Sequence, residues 1–352
     1  MTRIVNESGR LNWAKSSLAI LALYAMTTLA APAQTFETMH TFDAADGQGP
    51  TGLVQGTDGN FYGTTEYGGA NCPNFGCGTV FKITLSGTLT TLYSFCPDLQ
   101  SNCTDGQVPT AALVQGTDGN FYGSTLFGAS GSTVFKITPS GALTTLSTVG
   151  FAPNALIQAT DGNFYGTTQA TGSNANNGGT IFVMTPSGAV TTLYTFCSKS
   201  GCADGANPAA ALVQGTDGNF YGTTRAGGNC IPPGCGTVFK VTPNGTLTTL
   251  YSFCPQTGCA DGAYPAAALV QASDGNFYGT TGGTIFKITP SGALTTLYTF
   301  CLQSGCPDGS GPDAAALVQA PDGNFYGSAR GGGANGGGTI FKVTPSGALT
   351  TL

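Results

Sequence analysis

The chain is poor in charge. Asp, Glu, Lys and Arg make up 8% of its 352 residues, with 11 basic against 17 acidic groups and a net charge of −6. No Lys/Arg cluster occurs, so the electrostatic footprint of a nucleic-acid binder is absent. Histidine occurs once, at His40, and tryptophan once, at Trp13. No helical period runs through the chain after residue 33, and no phosphate-loop ending G-K-[ST] follows the glycine runs Gly331–Gly338 or Thr171–Gly179. Long apolar runs are also missing, with one exception. Ser16–Ala30 contains LAILALYAM, follows Arg3, Arg10 and Lys15, and precedes Ala31-Pro32-Ala33. A basic start, a short apolar stretch and a small-x-small site before Gln34 read as a cleaved secretory signal over residues 1–33. Nothing later is long and apolar enough to span a membrane as a helix.

What is abundant is glycine, 55 residues, and a repeated phrase. DGNFYG begins at Asp58, Asp118, Asp161, Asp217, Asp274 and Asp322, at intervals of 60, 43, 56, 57 and 48 residues. Each copy belongs to a unit with four strand-like stretches, as in ALVQ, FYGTT, TVFKVT and LTTLYSF between Ala211 and Phe253. The T-D-G-N and P-S-G or P-N-G turns between them are hairpin signals, because glycine accepts the positive φ that such turns need. β-branched and aromatic residues favour the extended state. One unit has too little apolar surface to stand alone, whereas face-to-face stacking around an axis shares Phe, Tyr, Leu and Val between neighbours. The expected fold is therefore all-β: a six-bladed β-propeller of four-stranded antiparallel blades over residues 34–352, with units near 50–95, 109–149, 151–196, 207–253, 264–300 and 311–352. Phe36–Phe42 resembles the LYSF segment and is expected to form one more strand. It would pair with or displace the last strand, cut short at Thr350-Thr351-Leu352, unless the chain is a shortened product. The third unit is the odd one, with no cysteine pair before its first strand and IFVMT in place of VFKIT.

All 12 cysteines follow the signal and come as close pairs: Cys72/Cys77, Cys96/Cys103, Cys197/Cys202, Cys230/Cys235, Cys254/Cys259 and Cys301/Cys306. A unit that lacks one member lacks both, which fits six local disulfides in an oxidising compartment; zinc would need two pairs to converge with no His nearby. Strands that alternate in direction put both tight turns on one rim of the ring and both variable, cysteine-bearing connections on the other. Binding residues usually ride on loops held by a rigid frame, so the loop rim is the candidate face.

The units Pro109–Thr125 (PTAALVQGTDGNFYGST) and Gly236–Phe253 (GTVFKVTPNGTLTTLYSF) resemble the exported bacterial tandem-repeat proteins of the Gloeobacter/Verrucomicrobia type. The resemblance spans residues 50–352 and implies an exported or surface propeller of unassigned biochemical role. The D-G-N phrase is also similar to ligand-sensing propellers of bacterial regulators and to the streptogramin-lyase propeller, in which D-G-N-L-W-F-T and I-G-R-I-T-P recur. That lyase family relies on a His base in acidic, metal-binding company, and here the one His lies outside the six units.

The residues themselves offer few candidates for chemistry. The turn aspartates Asp58, Asp118, Asp161, Asp217, Asp274 and Asp322 sit on separate blades and are explained by Asx-type bonding, which defeats carboxylate pairing. A second set, Asp46, Asp105, Asp204, Asp261 and Asp308, lies in the loops and admits a Ca²⁺ reading without the D-x-D-x-D-G density of a strong one. Gln55, Gln115, Gln158, Gln214, Gln271 and Gln319 end the first strands and are expected to line the channel. Tyr67 and Tyr264 are candidates for stacking on sugars at the loop rim. From sequence, the expected function is an exported, non-catalytic scaffold that binds a surface glycan or envelope protein through its disulfide-braced loops. The alternatives are a metal-assisted polysaccharide or lactone lyase/hydrolase and a purely structural surface repeat.

Overall fold

The computed structural model describes residues 38–72, 77–97, 103–150, 152–170, 178–229, 234–255, 258–314 and 316–352. The expected signal sequence lies outside them. The contacts divide the chain into Met1–Thr41 and Phe42–Leu352, and the second unit carries all 24 strands. They form six sheets of four strands, each with neighbours in chain order and antiparallel throughout. Blade one, for example, is Gln48–Gln55, Phe61–Tyr67, Thr79–Ile83 and Leu89–Ser94. The chain is thus an all-β, six-bladed propeller with one blade per repeat. One expectation is corrected. The described residues of the Phe36–Phe42 segment, 38–42, form no strand, and the first blade draws all four strands from its own unit.

The repeated phrase builds each blade by a fixed set of local contacts. In blade four, Gly218 takes φ +79° at the tip of the first hairpin, and Gly222 admits the ring of Phe239: a Cβ there would lie 2.6 Å from Cζ. Those are the two glycines of DGNFYG, one needed for its backbone angle and one for its missing side chain. The Thr residues at the strand ends pair across the sheet, as Thr65 with Thr79 at 2.9 Å and Thr224 with Thr237 at 2.8 Å, so the loop ends of blades one to five are sealed by buried hydroxyls with partners, while blade six has Ala329 opposite Thr339.

Adjacent blades join through a repeated interface. The tyrosine of one blade stacks on the phenylalanine of the next: Tyr62 on Phe121, Tyr122 on Phe164, Tyr165 on Phe220 and Tyr221 on Phe277, each with centroids 4.0 Å apart, and Tyr278 on Phe325 at 4.1 Å. The phenylalanine that follows the fourth strand then meets the third-strand phenylalanine of the next blade edge-on, as Phe95 meets Phe135 at 5.2 Å. Five apolar clusters, each drawn from two consecutive blades, are the core of the molecule.

The boundary between blades two and three shows where drift has a cost. Ser147 and Val149 of blade two stand where blade one has Tyr93 and Phe95, and no ring faces Phe182 from that strand. A cavity of about 330 Å³ lies there, lined by Thr148, Val149, Gly150, Thr180, Phe182, Val190 and Thr192.

Candidate functional site

The first strand of each blade is innermost in its sheet, and its six glutamines lie at the turn end. Sequence expected these amides to line the channel. In the structure five of them bridge blades. Gln115 Oε1 accepts from the Thr57 backbone N–H at 2.9 Å, and Gln158, Gln214, Gln271 and Gln319 accept in the same way from Thr117, Thr160, Thr216 and Ser273. Their Nε2 groups donate back to the glycine carbonyl of their own turn, as do those of Gln55 and Gln319. The amides act as latches.

Both aspartate sets are engaged by protein donors. Asp58 accepts from the Asn60 amide at 2.7 Å and the Tyr62 hydroxyl at 2.9 Å, and the pattern recurs in every blade. The bond from Asn60, with smaller help from Tyr62 and Lys82, holds the Asp58 carboxyl down at about 2. Burial, and then the bond to its aspartate, pushes Tyr62, Tyr122 and Tyr165 up to about 12. The loop aspartates do a different job. Asp204, fully buried, accepts from the Tyr194 hydroxyl at 2.8 Å and from the Ser198 N–H and Oγ. Asp105, Asp261 and Asp308 accept likewise from Tyr93, Tyr251 and Tyr298 and from the N–H of Cys96, Cys254 and Cys301. Asp46 accepts from the Asp43 N–H at 2.8 Å, while its own carbonyl accepts from Thr79.

Four of these loops carry the disulfides Cys96–Cys103, Cys197–Cys202, Cys254–Cys259 and Cys301–Cys306, and Cys72–Cys77 lies between the second and third strands of blade one. Of the sixth expected pair, Cys230 lies outside the described residues and Cys235 is buried. The eight cysteines of the loops after the fourth strands adopt φ between 46° and 62°, a left-handed conformation that is costly for a residue with a Cβ. The disulfide and the aspartate together hold it.

A metal fits this set poorly. Among the described residues, the group of three metal-capable side chains that comes together is Cys72, Cys77 and Cys96, and all three are in disulfides. No carboxylate trio converges among those residues, so the expected Ca²⁺ and the metal-assisted part of the enzyme reading find no ligand set there. Tyr67 and Tyr264 are half-exposed on blade one and ahead of blade five, and no contact brings them together.

One concavity draws on five blades at once. A cavity of about 740 Å³ is lined by the residues that enter the first strands of blades two to six: Thr110–Ala112, Pro153–Ala155, Ala209–Ala211, Ala266–Ala268 and Ala316, with Leu126 and Gln169. The wall is mostly alanine because the repeat puts small residues where the blades crowd the axis. Asn154 is the polar exception; its amide donates to Thr167 Oγ1 and to the Pro208 carbonyl, both at 2.8 Å. Blade six departs from the pattern. It has one residue more than blade four between proline and strand, and Pro312–Ala314 forms a short 3-10 turn there. Asp313 in that turn is 7% exposed, and Arg330 Nη2 lies 2.9 Å from its Oδ1. Sequence reasoning missed this pair. The signal was available: an acidic residue inserted before an alanine triplet, and an arginine after the second strand of the same unit.

A six-bladed repeat propeller with an alanine-lined axial cavity is the class these features define. The chain belongs to the Gloeobacter/Verrucomicrobia repeat family, whose pattern matches residues 22–150 and 147–305. No curated protein sequence matches it. Among solved structures it is similar to a streptogramin B lyase, with 18% identity, a TM-score of 0.56 and coverage of 88% of this chain and 84% of that one. A gluconolactonase from Xanthomonas campestris (11% identity, 88% and 89% covered, TM-score 0.48) and a luciferin-regenerating enzyme (14%, 89% and 95%, 0.47) are more distant. The likeness to the lyase establishes the fold alone, yet it corrects one expectation. The sequence reading took the repeated frame as that of a non-catalytic scaffold, and the same frame carries a lyase. The scaffold reading is withdrawn, and with it the leaning against enzymatic activity.

Proposed function

We propose that the protein is an exported enzyme of the hydrolase or lyase type that opens a small lactone in the axial cavity. The observation that carries this reading is the Asp313–Arg330 pair of blade six: a buried carboxylate held by an exposed guanidinium, three residues ahead of the cavity-lining Ala316. The cavity volume of about 740 Å³ suits a small molecule better than a polymer, which favours a lactone over a polysaccharide. In the proposed reaction Asp313 accepts a proton from water as the water attacks the ester carbonyl. Arg330 donates N–H bonds to the oxyanion, and Asp313 returns the proton to the ring oxygen, which leaves as the alcohol. The alanine wall excludes water from the apolar part of the substrate. Export is supported by the five disulfides and by the basic-apolar-small pattern of residues 1–33.

The test is turnover of a panel of γ- and δ-lactones by the purified protein, followed by proton release, with and without added divalent cations. Asp313→Asn is expected to lower kcat by about 10²-fold or more, the usual worth of a general base. Absence of turnover on every lactone, or an Asp313→Asn variant as active as the parent, would overturn the reading.

A further inference from the structure

Six near-identical copies show by their differences where the repeat is free to vary. The second strand keeps Phe-Tyr-Gly in every blade, with two small residues after it. The next position takes five different residues in six copies: Glu66, Leu126, Gln169, Arg225, Gly282 and Arg330. Its backbone N–H donates to the carbonyl of the residue ahead of the blade's proline, as Leu126 does to Val108, Gln169 to Ala152, Arg225 to Asn207 and Arg330 to Gly311. That facing position varies too, and it is strained. Val108, Ala152, Asn207 and Tyr264 take φ between 52° and 59°, a left-handed conformation that is costly for a residue with a Cβ and that concentrates at ligand sites. Leu126, Gln169 and Ala152 line the axial cavity, so the repeat places its variable pair at the cavity wall.

The basic residues divide along the same line. Past residue 33 the chain has six lysines and two arginines. Five of the lysines repeat one third-strand position opposite the second-strand tyrosine, where Lys82 and Lys287 pair with the turn aspartates Asp58 and Asp274. Both arginines stand at the variable position. Arg330 is engaged by Asp313, whereas among the described residues no carboxylate pairs with Arg225, which is exposed. A guanidinium without a counter-ion, at the place where blades two and three present a cavity-lining side chain, is a seat for an anion that the ligand supplies.

We infer that Arg225 binds a carboxylate carried by the substrate, so that the lactone opened in the cavity is an acidic one. The guanidinium donates two parallel N–H bonds to the two carboxylate oxygens. The ester is then left to Asp313 and Arg330 on blade six, and the alanines of blade five, Ala266–Ala268, face the hydrocarbon between the two ends. The inference takes the ester from the lactone reading and the anion from Arg225 alone.

Two pairs of small molecules test these claims separately. The γ-lactone of α-hydroxyglutarate carries a carboxylate, and γ-butyrolactone is its neutral counterpart. Pyroglutamate and pyrrolidinone are the matching lactams, used for binding without turnover. The acidic lactone is expected to have a KM at least about tenfold below that of the neutral one, the worth of one charge-assisted hydrogen bond. Arg225→Gln is expected to erase that preference by raising KM for the acidic lactone, and Arg225→Lys to restore part of it. Lys199→Gln, on a cation of the blade-three disulfide loop, is expected to leave the preference in place. By calorimetry pyroglutamate should bind at least about tenfold more tightly than pyrrolidinone, and Arg225→Gln should abolish the difference. Turnover of both lactones at equal KM, or an Arg225→Gln variant that keeps the preference, overturns the anion seat and leaves the lactone reading standing. Arg225-dependent binding of pyroglutamate without turnover of any lactone does the reverse. Absence of both binding and turnover overturns the two together.

Discussion

The two rims of the propeller use the same bond for different ends. On the turn rim a half-exposed aspartate accepts from a tyrosine four residues on, within one hairpin, as Asp217 does from Tyr221 at 2.9 Å. On the loop rim a buried aspartate accepts from a tyrosine ten residues back, as Asp204 does from Tyr194 at 2.8 Å, and also ties down the backbone of a disulfide loop. The first bond shapes a turn that its own sequence already favours. The second closes a loop whose cysteines sit at positive φ and that would not hold this shape unaided. A Tyr–Asp bond thus contributes in proportion to how little the local chain would do without it.

The sharpest break of that comparison is Asp204→Ala. It leaves the Tyr194 hydroxyl and the Ser198 N–H without their acceptor in a buried site, and a loss of about 3 kcal/mol is expected in chemical denaturation. Removal of the neighbouring staple in the Cys254→Ala/Cys259→Ala pair is expected to cost about 2 kcal/mol, since so short a loop constrains the unfolded chain only modestly. Asp217→Ala, its turn-rim counterpart, is expected to cost about 1 kcal/mol, because the Asp-Gly turn persists and water replaces the carboxylate. If Asp217→Ala were as damaging as Asp204→Ala, the distinction between the rims would fail.

The pH profile sharpens the comparison from both ends. Asp58 is held at about 2 against an ordinary 3.8, and Asp118, Asp161 and Asp217 are also lowered: burial alone would raise these three, and the bonds from their asparagines and tyrosines outweigh it. Their folded forms bind fewer protons than the unfolded chain, so their contribution is present above about pH 4 and falls away as pH drops through their lowered folded values, for Asp58 about 2. The tyrosines act with the opposite sign. Tyr93, Tyr251 and Tyr298 are raised from 10 to about 12 by burial and by their aspartates, so stability holds below pH 10 and is lost as pH rises toward 12. A melting-temperature profile flat between these limits and falling on both sides is expected. Asp204→Ala should lose part of the alkaline limb, which a purely structural effect on the loop would leave in place. The smallest expected effect is a gain. Val149→Phe restores the repeat's ring opposite Phe182 and fills part of the 330 Å³ cavity, for about 1 kcal/mol of added stability.

Much of the architecture could be read from residues that act within a few positions of one another. The strand order, the hairpin turns and the close cysteine pairs all depend on short-range geometry, and six nearly identical copies repeat the signal. Readings stopped short where the partner lay in another unit. The glutamines read only as channel lining because nothing in VQG-T-D-G-N says that the amide reaches a neighbour 41 to 58 positions away. The N-terminal segment read as a strand because it spells like one, although Phe42 reaches Phe81 without any strand forming.

The sequence alone determined the blade: its four strands, its two glycines, its Asp–Asn–Tyr turn and its stapled loops, because each is set by dihedral preference and contacts along a short stretch. Only the tertiary structure decided what each blade does for the next. Identical phrases become a buried stack, a latch or an exposed edge according to which blade stands beside them. The order of blades around the axis leaves Leu53 and Ile340 in water while their five counterparts are buried. The same arrangement puts the single inserted carboxylate, Asp313, beside Arg330 in blade six, because a contact between two strands' ends is a property of the folded blade and not of either stretch alone.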